Sequence, residues 1–498
     1  MIMKRIYISI LICLLPLIAG GQALKGSYFS EYSVLRNKLN PAFVPRSSYL
    51  GFAALDNLGI GVTSNVGMSN FLYPSGAGDG SLLTFLHPDV SADTFLNSLP
   101  SNPHLDIDVD TDILNIGFFT GKNSFWSIGL GLKVDGEVNL PKELFTFLKL
   151  GAATDPQVYN IKNTSIIANA YAELSLGYSH DFSDLVEGLS VGARVKFLAA
   201  IGRADLRINN LNLRMASDMW QVKADATGYL MAKGIDVGIN EDGTFSHNLN
   251  NLDYGQLGLA GMGAAFDLGV EYRLRINDFF DSVRFSAAVT DLGFLNFSAP
   301  AVQKFVTSGD VQYVGVKDFE VGQDFDFNET VTEITDQFQE FLNLKEVSAG
   351  KVNSRIRPQV YAGVEVPFLW NRMSLGLLYS AKFGYTSVRD ELTLALNMRP
   401  GKWINLGVNY SMLNAGKSIG WILELIPRSG IGFFIGSDYT FLEVANLPMG
   451  DMTLPVLPVN QLNFNLRFGF HIAMGNHYDD KGMARRAAKE ARREARRG

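Results

Sequence analysis

The sequence predicts an all-β fold: a transmembrane antiparallel β-barrel of about fourteen strands, with an N-terminal plug segment and a C-terminal basic helix. Three observations support this prediction. The N-terminus has the features of a secretory signal. The rest of the chain contains no long apolar run, although 47% of all residues are hydrophobic. Many segments alternate between apolar and polar positions, as a strand with one face in hydrocarbon must.

The N-terminal residues 1–21 are interpreted as a signal peptide. Two basic residues, Lys4 and Arg5, precede an apolar stretch that is too short to span a bilayer comfortably. We therefore expect cleavage before Gln22 rather than a membrane anchor. Cys13 is the only cysteine and lies in this stretch, so the mature chain would hold no disulfide and no cysteine metal site.

The alternation is clearest from Met262 to Ile276, where every even position is apolar and the odd positions include Asp267, Glu271 and Arg273. Similar patterns recur at 166–178, 189–197, 392–398, 404–410 and 462–472. A soluble sandwich also alternates, but its strands are typically about five or six residues long. The longer segments favour a barrel over residues 58–475, with twelve or sixteen strands as alternatives to fourteen.

The connector lengths predict the topology. Bacterial barrels have short periplasmic turns and long outer loops. The connectors alternate in this way as far as residue 355, with long ones at 69–110, 139–163, 206–257 and 299–355. This predicts a barrel in the outer membrane of a Gram-negative cell, in contact with its lipid, with both chain termini in the periplasm.

Residues 22–57 precede the first predicted strand and contain Asn40, Pro41, Ala42 and Phe43. Side chains alone would not fill the interior of a fourteen-stranded barrel. We therefore predict that this segment folds into the lumen as a plug. The alternative is a periplasmic extension.

Charged residues of both signs fall on the predicted lumen face. They are Glu173, Arg194, Lys196, Asp267, Glu271, Arg273, Arg275, Arg357, Glu365, Lys382 and Arg467. One interpretation is a polar lining that selects solutes. The other is a network of ion pairs that fills and stiffens the lumen, and the presence of both signs favours it because buried charges must pair.

Four aspartates, Asp106, Asp108, Asp110 and Asp112, alternate along one predicted strand and share one face. Such a concentration of carboxylates could attract calcium. However, Thr111 stands where an EF-hand loop requires glycine, so the calcium-loop pattern fails. A solvated strand extension above the membrane is the alternative, and no metal site is predicted.

Two further segments are candidate docking sites for other envelope proteins. Loop 299–355 is acidic and then shows helical spacing of apolar residues between 331 and 342, which predicts a lid, a docking helix or a helix packed over the barrel mouth. The tail 476–498 is rich in arginine and alanine and predicts a basic periplasmic helix. Its residues 479–498 would contact anionic lipid or an acidic partner, or remain solvated.

Several functional classes have no support in the sequence. None of the six histidines lies in a metal-ligand spacing or beside a nucleophile motif, and no phosphate-binding loop is visible. We therefore predict no enzyme, no cofactor and, in particular, no barrel hydrolase. The net charge of −7 lacks the basic footprint that nucleic acid requires.

The early Asn-Pro-Ala and the fourteen-strand pattern resemble the FadL and PorV superfamily of outer-membrane barrels. The segments at 71–74, 140–145 and 288–294 are similar to an uncharacterised Bacteroidota barrel family that carries only a domain of unknown function. The FadL-like resemblance implies a passive channel for small hydrophobic molecules. The PorV-like resemblance implies instead a structural or docking subunit of a secretion or protein-assembly complex. No ligand residues can be carried over.

Overall fold

The computed structural model describes most of the chain between Leu24 and Asn476. The described residues are 24–31, 33–52, 56–75, 82–121, 123–151, 156–216, 219–234, 258–277, 279–307, 310–314, 344–401, 403–413, 416–427, 429–440, 444–449, 452–458 and 462–476. The predicted signal peptide, the amphipathic pattern at 331–342 and the basic tail from 477 onward lie outside the described residues.

Fourteen antiparallel strands form the barrel wall, as predicted. They are β1 (Ser47–Phe52 and Leu58–Ser64), β2 (His104–Thr120), β3 (Ser124–Asn139), β4 (Gln157–Asp181), β5 (Leu189–Met215), β6 (Gly261–Arg275), β7 (Ser282–Phe297), β8 (Val352–Arg355 and Gln359–Phe368), β9 (Met373–Phe383), β10 (Val388–Gly401), β11 (Ile404–Leu413), β12 (Gly416–Leu425), β13 (Gly430–Thr440) and β14 (Phe464–Asn476). Each strand pairs with the next, and β14 also pairs with β1, for example Phe468 with Leu58. The sheet is therefore closed.

The two faces of the wall have the polarity that a membrane requires. On β6, Met262 and Leu268 point outward and are 68% and 49% exposed, whereas Asp267 and Glu271 point inward and are buried. Exposed aromatic residues, including Trp370 and Trp403, lie at the short turns of the barrel, where an interfacial girdle is expected. The wall is that of an outer-membrane barrel.

The edge of the hydrocarbon layer is visible along β4. Two of its outward residues near the start, Asn160 and Lys162, are polar and exposed, and the outward residues are apolar from Ile166 to Tyr178. We call this end of the barrel the long-loop end and the opposite end the short-turn end. Among the described residues, no helix is both long and apolar enough to cross a bilayer.

Several strand bounds differ from the prediction. The wall begins at Ser47, before the predicted Leu58, and β2 begins at His104 rather than near Thr111. β4 already starts at Gln157, β5 runs on to Met215 and β8 begins at Val352, so parts of all four predicted long loops are strand. Beyond the hydrocarbon a strand no longer needs an apolar outward face, and its apolar residues lie on the buried face instead, as Tyr159 and Ile161 do.

These extensions build a folded unit at the long-loop end, which we call the cap. The sheet of β4 and β5 continues through Met219–Ala232, Val302–Thr307, Asp310–Val314 and Leu344–Val347. Two helices also belong to the cap: α2 (Ala92–Ser98) and α3 (Lys142–Leu150). The other short elements of the chain are α1 (Arg36–Leu39), the 3-10 turns Lys25–Ser27, Met68–Asn70 and Ala299–Ala301, and the hairpins Leu72–Pro74 with Leu82–Thr84 and Val444–Met449 with Met452–Pro458.

The cap has an ordinary hydrophobic core. Ser91 caps α2 by accepting a hydrogen bond from the backbone of Thr94, and Gly151, with a φ of 50°, ends α3. The buried side chains come from both helices and from the sheet extension: Phe95, Leu144, Phe145, Phe147, Leu148, Tyr159, Ile161, Ile208, Leu211, Leu213 and Trp220. The cap is thus stabilised as a soluble protein is.

Candidate functional site: the lumen of the barrel

The N-terminal segment lies inside the barrel. We call residues 24–46 the plug. It contacts strands on all sides of the lumen: Lys25 pairs with Glu391, Ser30 donates to Glu424, Lys38 pairs with Asp112, and the Tyr28 hydroxyl bonds to Ser286. Tyr28, Phe29 and Phe43 are buried together against Tyr361 and Leu378 of the wall. The segment predicted as a plug is therefore surrounded by wall strands.

The Asn-Pro-Ala segment docks on β4–β7 through specific contacts. The Asn40 amide donates to the carbonyls of Val270 and Ala287, at 3.2 and 3.3 Å. The Ser179 hydroxyl donates to the Pro41 carbonyl. Two glycines of the wall make room for this segment: a Cβ at Gly192 would overlap the backbone of Pro41, and a Cβ at Gly269 would overlap the side chain of Asn40.

Arginines fix the plug at the short-turn end. Glu31 accepts hydrogen bonds from Arg399 (2.6 Å) and from Asn371 of the β8–β9 turn (2.8 Å), and Arg284 lies 3.5 Å away. Burial alone would raise the pKa of Glu31, but the guanidinium groups of Arg284 and Arg399 outweigh it and hold that pKa well below its usual range. Glu31 is thus ionised and bound by two strands and a turn.

The acidic ladder of β2 is neither a calcium loop nor a solvated extension. Asp106 and Asp108 both contact Arg357, and they pair with Arg389 (2.9 Å) and Lys382 (2.5 Å) respectively. The deeper two aspartates pair with β14 and with the plug, as Asp110 with Arg467 and Asp112 with Lys38. No group of three potential metal ligands occurs within the described residues.

All but one of the predicted lumen charges lie inside the barrel and have a partner of opposite sign. Arg194 and Lys196 pair with Asp267 at 3.1 and 2.9 Å. Further pairs join Glu173 to Lys133, Glu271 to Arg273, Glu365 to Arg284, and Arg357, Lys382 and Arg467 to the ladder. Arg275 is exposed at the short-turn rim. The geometry matches the ion-pair interpretation.

A second closure at the long-loop end was not predicted. The β9–β10 loop, residues 384–387, folds inward and reaches β3, which lies on the opposite side of the ring. Glu137 accepts the backbone N–H groups of Tyr385 (2.6 Å) and Thr386 (2.9 Å), and the Tyr385 hydroxyl donates to Asp135 (2.8 Å). We call this loop and its two acidic partners the mouth clamp.

Cationic side chains hold the clamp from both sides. The guanidinium groups of Arg203 and Arg357 lie 4.6 and 5.6 Å from the Tyr385 ring centre. A signal for the acidic partners exists in the sequence, because Lys133, Asp135 and Glu137 alternate on β3 like the residues that were identified. No local pattern indicates that a short loop will cross the lumen to reach them.

Between plug and clamp lies a cavity of about 170 Å³. Charged residues of both signs line it, together with four tyrosines: Lys25, Lys38, Tyr49, Asp106, Asp108, Asp110, Asp112, Lys133, Asp135, Tyr171, Glu173, Arg194, Lys196, Asp291, Arg357, Tyr361, Lys382, Arg389, Glu391, Tyr439 and Arg467. A cavity of about 150 Å³ accommodates benzene when its walls are apolar. This cavity is therefore large enough for a small solute, and charged groups of both signs face it alongside apolar surface of the wall.

Comparisons with solved structures return barrels at low sequence identity. The toluene transporter TodX of P. putida is 9% identical with a TM-score of 0.38, covering 89% of this chain and 95% of that one. The toluene transporter TbuX of Ralstonia pickettii is 9% identical with a TM-score of 0.38, covering 92% and 97%. The translocator domain of the autotransporter NalP from Neisseria meningitidis is 8% identical with a TM-score of 0.31, covering 86% and 90%.

No curated protein matches the sequence. A family model does match, over residues 41–438, a range that starts within the Asn-Pro-Ala segment and ends on β13. The chain belongs to this family, which is described as a family of unknown function, DUF5723.

Proposed function

We propose that the protein is an outer-membrane channel for small solutes, occluded at one end by the plug and at the other by the mouth clamp. The observation that supports the proposal most directly is the cavity of about 170 Å³ that lies between these two closures. The mouth clamp consists of hydrogen bonds and charged contacts that can be exchanged for water, whereas the plug is held by ion pairs and also by the apolar contacts of Tyr28, Phe29 and Phe43. We place the short turns and both chain ends in the periplasm.

The lining of the cavity indicates which solutes fit. The FadL-like resemblance predicts small hydrophobic molecules as cargo. An apolar solute in this cavity would separate charged groups from water without giving them partners, and that costs several kcal/mol per ion. Small polar solutes can replace that water. The charged groups in the walls therefore favour a channel for polar solutes. A channel for hydrophobic molecules remains a prediction from the FadL-like resemblance.

Solute flux into liposomes tests the proposal, with one variant for each closure. Gly192→Val places a side chain where the backbone of Pro41 lies and displaces the plug, while valine suits a strand. Glu137→Ala releases the backbone of Tyr385 and Thr386. Because the closures are in series, we expect each variant alone to raise glycine flux a few-fold over the parent. The combined variant should raise it about tenfold or more.

A matched control uses positions at which the new side chain points away from both closures. Gly136 faces outward on β3, where a Cβ meets only ordinary contacts at 3.6 and 3.8 Å, and Glu143 is exposed on α3. The combination Gly136→Val with Glu143→Ala should leave flux at the parent level. The proposal is wrong if the combined closure variant folds, as judged by its heat-modifiable migration in electrophoresis, and passes no more glycine than this control.

The cap favours a second candidate, a docking subunit of an envelope complex. A channel needs no folded unit beyond the membrane, yet the cap has a core from two helices and several strands. Gentle solubilisation and mass spectrometry of co-purifying proteins would test this role. Recovery of the barrel alone would contradict it.

A further inference from the structure

On β3 the cavity is lined by glycines, which place no side chain in it. Inward-facing positions on β3 alternate, and two successive ones are Gly129 and Gly131. Ser175 of β4 lies opposite the first, and Glu173 of β4 and Asp112 of β2 lie on either side of the second. We call this part of the cavity the niche, and its rim is completed by Lys38 of the plug and Lys133 of β3.

Two ion pairs present both signs of charge to the niche. Lys38 pairs with Asp112, and Lys133 pairs with Glu173 at 2.8 Å. The two ammonium groups belong to side chains that are 30% and 28% exposed, whereas both carboxylate side chains are 12% exposed. These lysines are more open than the cations of the clamp and of the Glu31 cluster, such as Arg357 and Arg399, whose side chains are 3% exposed.

We propose that the niche binds a small zwitterion, of the size and charge spacing of an α-amino acid, and this rests on the proposed channel. The ammonium group of the solute would lie against Asp112 and Glu173, and its carboxylate against Lys38 and Lys133. The glycine backbone of β3 leaves the space for its body. A cavity of about 170 Å³ has room for such a molecule.

Charge balance excludes the simpler ligands. The two pairs are neutral as a set, and the neighbouring charges Asp291 and Lys196, which contact Lys133 and Glu173, also balance each other. A solute with one charge would therefore bring an uncompensated ion into a buried site. An apolar solute would remove water from four charged groups and would offer them no hydrogen bond or ion pair in its place. A zwitterion inserts into both pairs, keeps the sum of charges at zero and gives each group a new partner.

Equilibrium dialysis with radiolabelled L-alanine tests this without depending on flux. We expect saturable binding to the folded barrel in detergent. Ethylamine and propionate, which each carry one of the two charges, should compete at least tenfold more weakly. Binding without flux would support the zwitterion site and contradict the channel. Flux without saturable binding would support the channel and contradict the zwitterion site.

Two variants locate the site. Gly129→Val fills the niche, and its first contact is the movable hydroxyl of Ser175, at 2.7 Å from a Cβ, so the wall can still form. Asp112→Asn keeps the size of the side chain and removes its charge. Each should weaken alanine binding more than tenfold, while the outward Gly136→Val should not change it. Equal affinity for alanine and either singly charged analogue, or unchanged binding in both niche variants, overturns the proposal.

Discussion

The wall of the barrel and the cap are stabilised in opposite ways. In the wall, Asp267 and Glu365 are buried and Leu268 is exposed, whereas in the cap Phe95 and Leu211 are buried and Arg214 is exposed. The outer surface of the chain therefore faces lipid in the wall and water in the cap, and the boundary lies within strands β4 and β5. Buried side chains are thus polar in the wall and apolar in the cap. The same type of substitution should therefore have opposite effects on stability in the two regions.

The largest effect should follow the loss of a buried cation in the lumen. Arg357→Ala leaves Asp106, Asp108 and Asp135 without their shared partner, and breaking a buried pair costs roughly 3–5 kcal/mol. We expect the upper end of that range because three carboxylates are affected. Urea unfolding in liposomes measures the change. Arg214→Ala, on the exposed face of the cap sheet, is the control and should be nearly neutral.

A smaller effect is expected from a cavity in the cap. Leu211 is fully buried in its core, so Leu211→Ala should cost about 3 kcal/mol by lost transfer energy and the cavity left behind. The loss should be local. Limited proteolysis should cut the cap of this variant faster than the parent while the barrel keeps its heat-modifiable migration. Simultaneous loss of both regions would show that the comparison is wrong.

The third substitution reverses the polarity of the lipid face. Leu268→Lys places an ammonium near the middle of β6, where a charge costs about 2–4 kcal/mol in a barrel wall. Asn160→Lys makes a similar change on the outward face of β4 beyond the hydrocarbon and should cost almost nothing. Unfolding in liposomes compares them. Equal costs would move the boundary that β4 defines.

The weakest effect should be a response of the plug to acid. The pKa of Glu31 is held below its usual range, so its contribution to docking is complete above its unfolded pKa and is lost only as pH falls through the lower folded value. Between pH 7 and pH 5 we therefore expect no release. Protease protection of the plug measures this, with Glu31→Gln as the comparison, because Asp438 and Glu424 also hold the plug. A release in that interval that Glu31→Gln does not show would contradict the ion pairs of Glu31.

The sequence predicts the membrane part of the fold well, because hydrocarbon imposes a strict period of two on residues such as 262–276. It predicts the cap badly, since in β4 before Ile166 and in β5 after Ala200 the apolar positions change from the outward face to the buried face, as Tyr159 and Leu211 show. The lumen charges were also identified by period. The partners of these charges could not be identified, because pairs such as Arg357 with Asp106 join strands that are distant in the sequence. No local pattern indicates which strands face each other across the lumen.

The plug could be predicted from the width of the barrel, but its docking could not. Gly192 and Gly269 look like ordinary small lumen residues until the chain of Asn40 and Pro41 is seen against them. The mouth clamp was missed for a similar reason, because nothing in the length of the short β9–β10 connector indicates that it reaches across the lumen. The role of Glu137 depends on its hydrogen bond from the backbone of Tyr385, a contact that the sequence does not predict.

The central claim is that residues 24–46 lie within the closed barrel, and a pair of introduced cysteines tests it most directly. Ser30 contacts Asn405 on the inner face of β11, while Val408 faces outward on the same strand. Cys13 is the only native cysteine, so the background is low. In cells, Ser30→Cys with Asn405→Cys should cross-link in most of the folded protein, and Ser30→Cys with Val408→Cys should not. Equal yields, or none in the first pair, would contradict a plug inside the lumen.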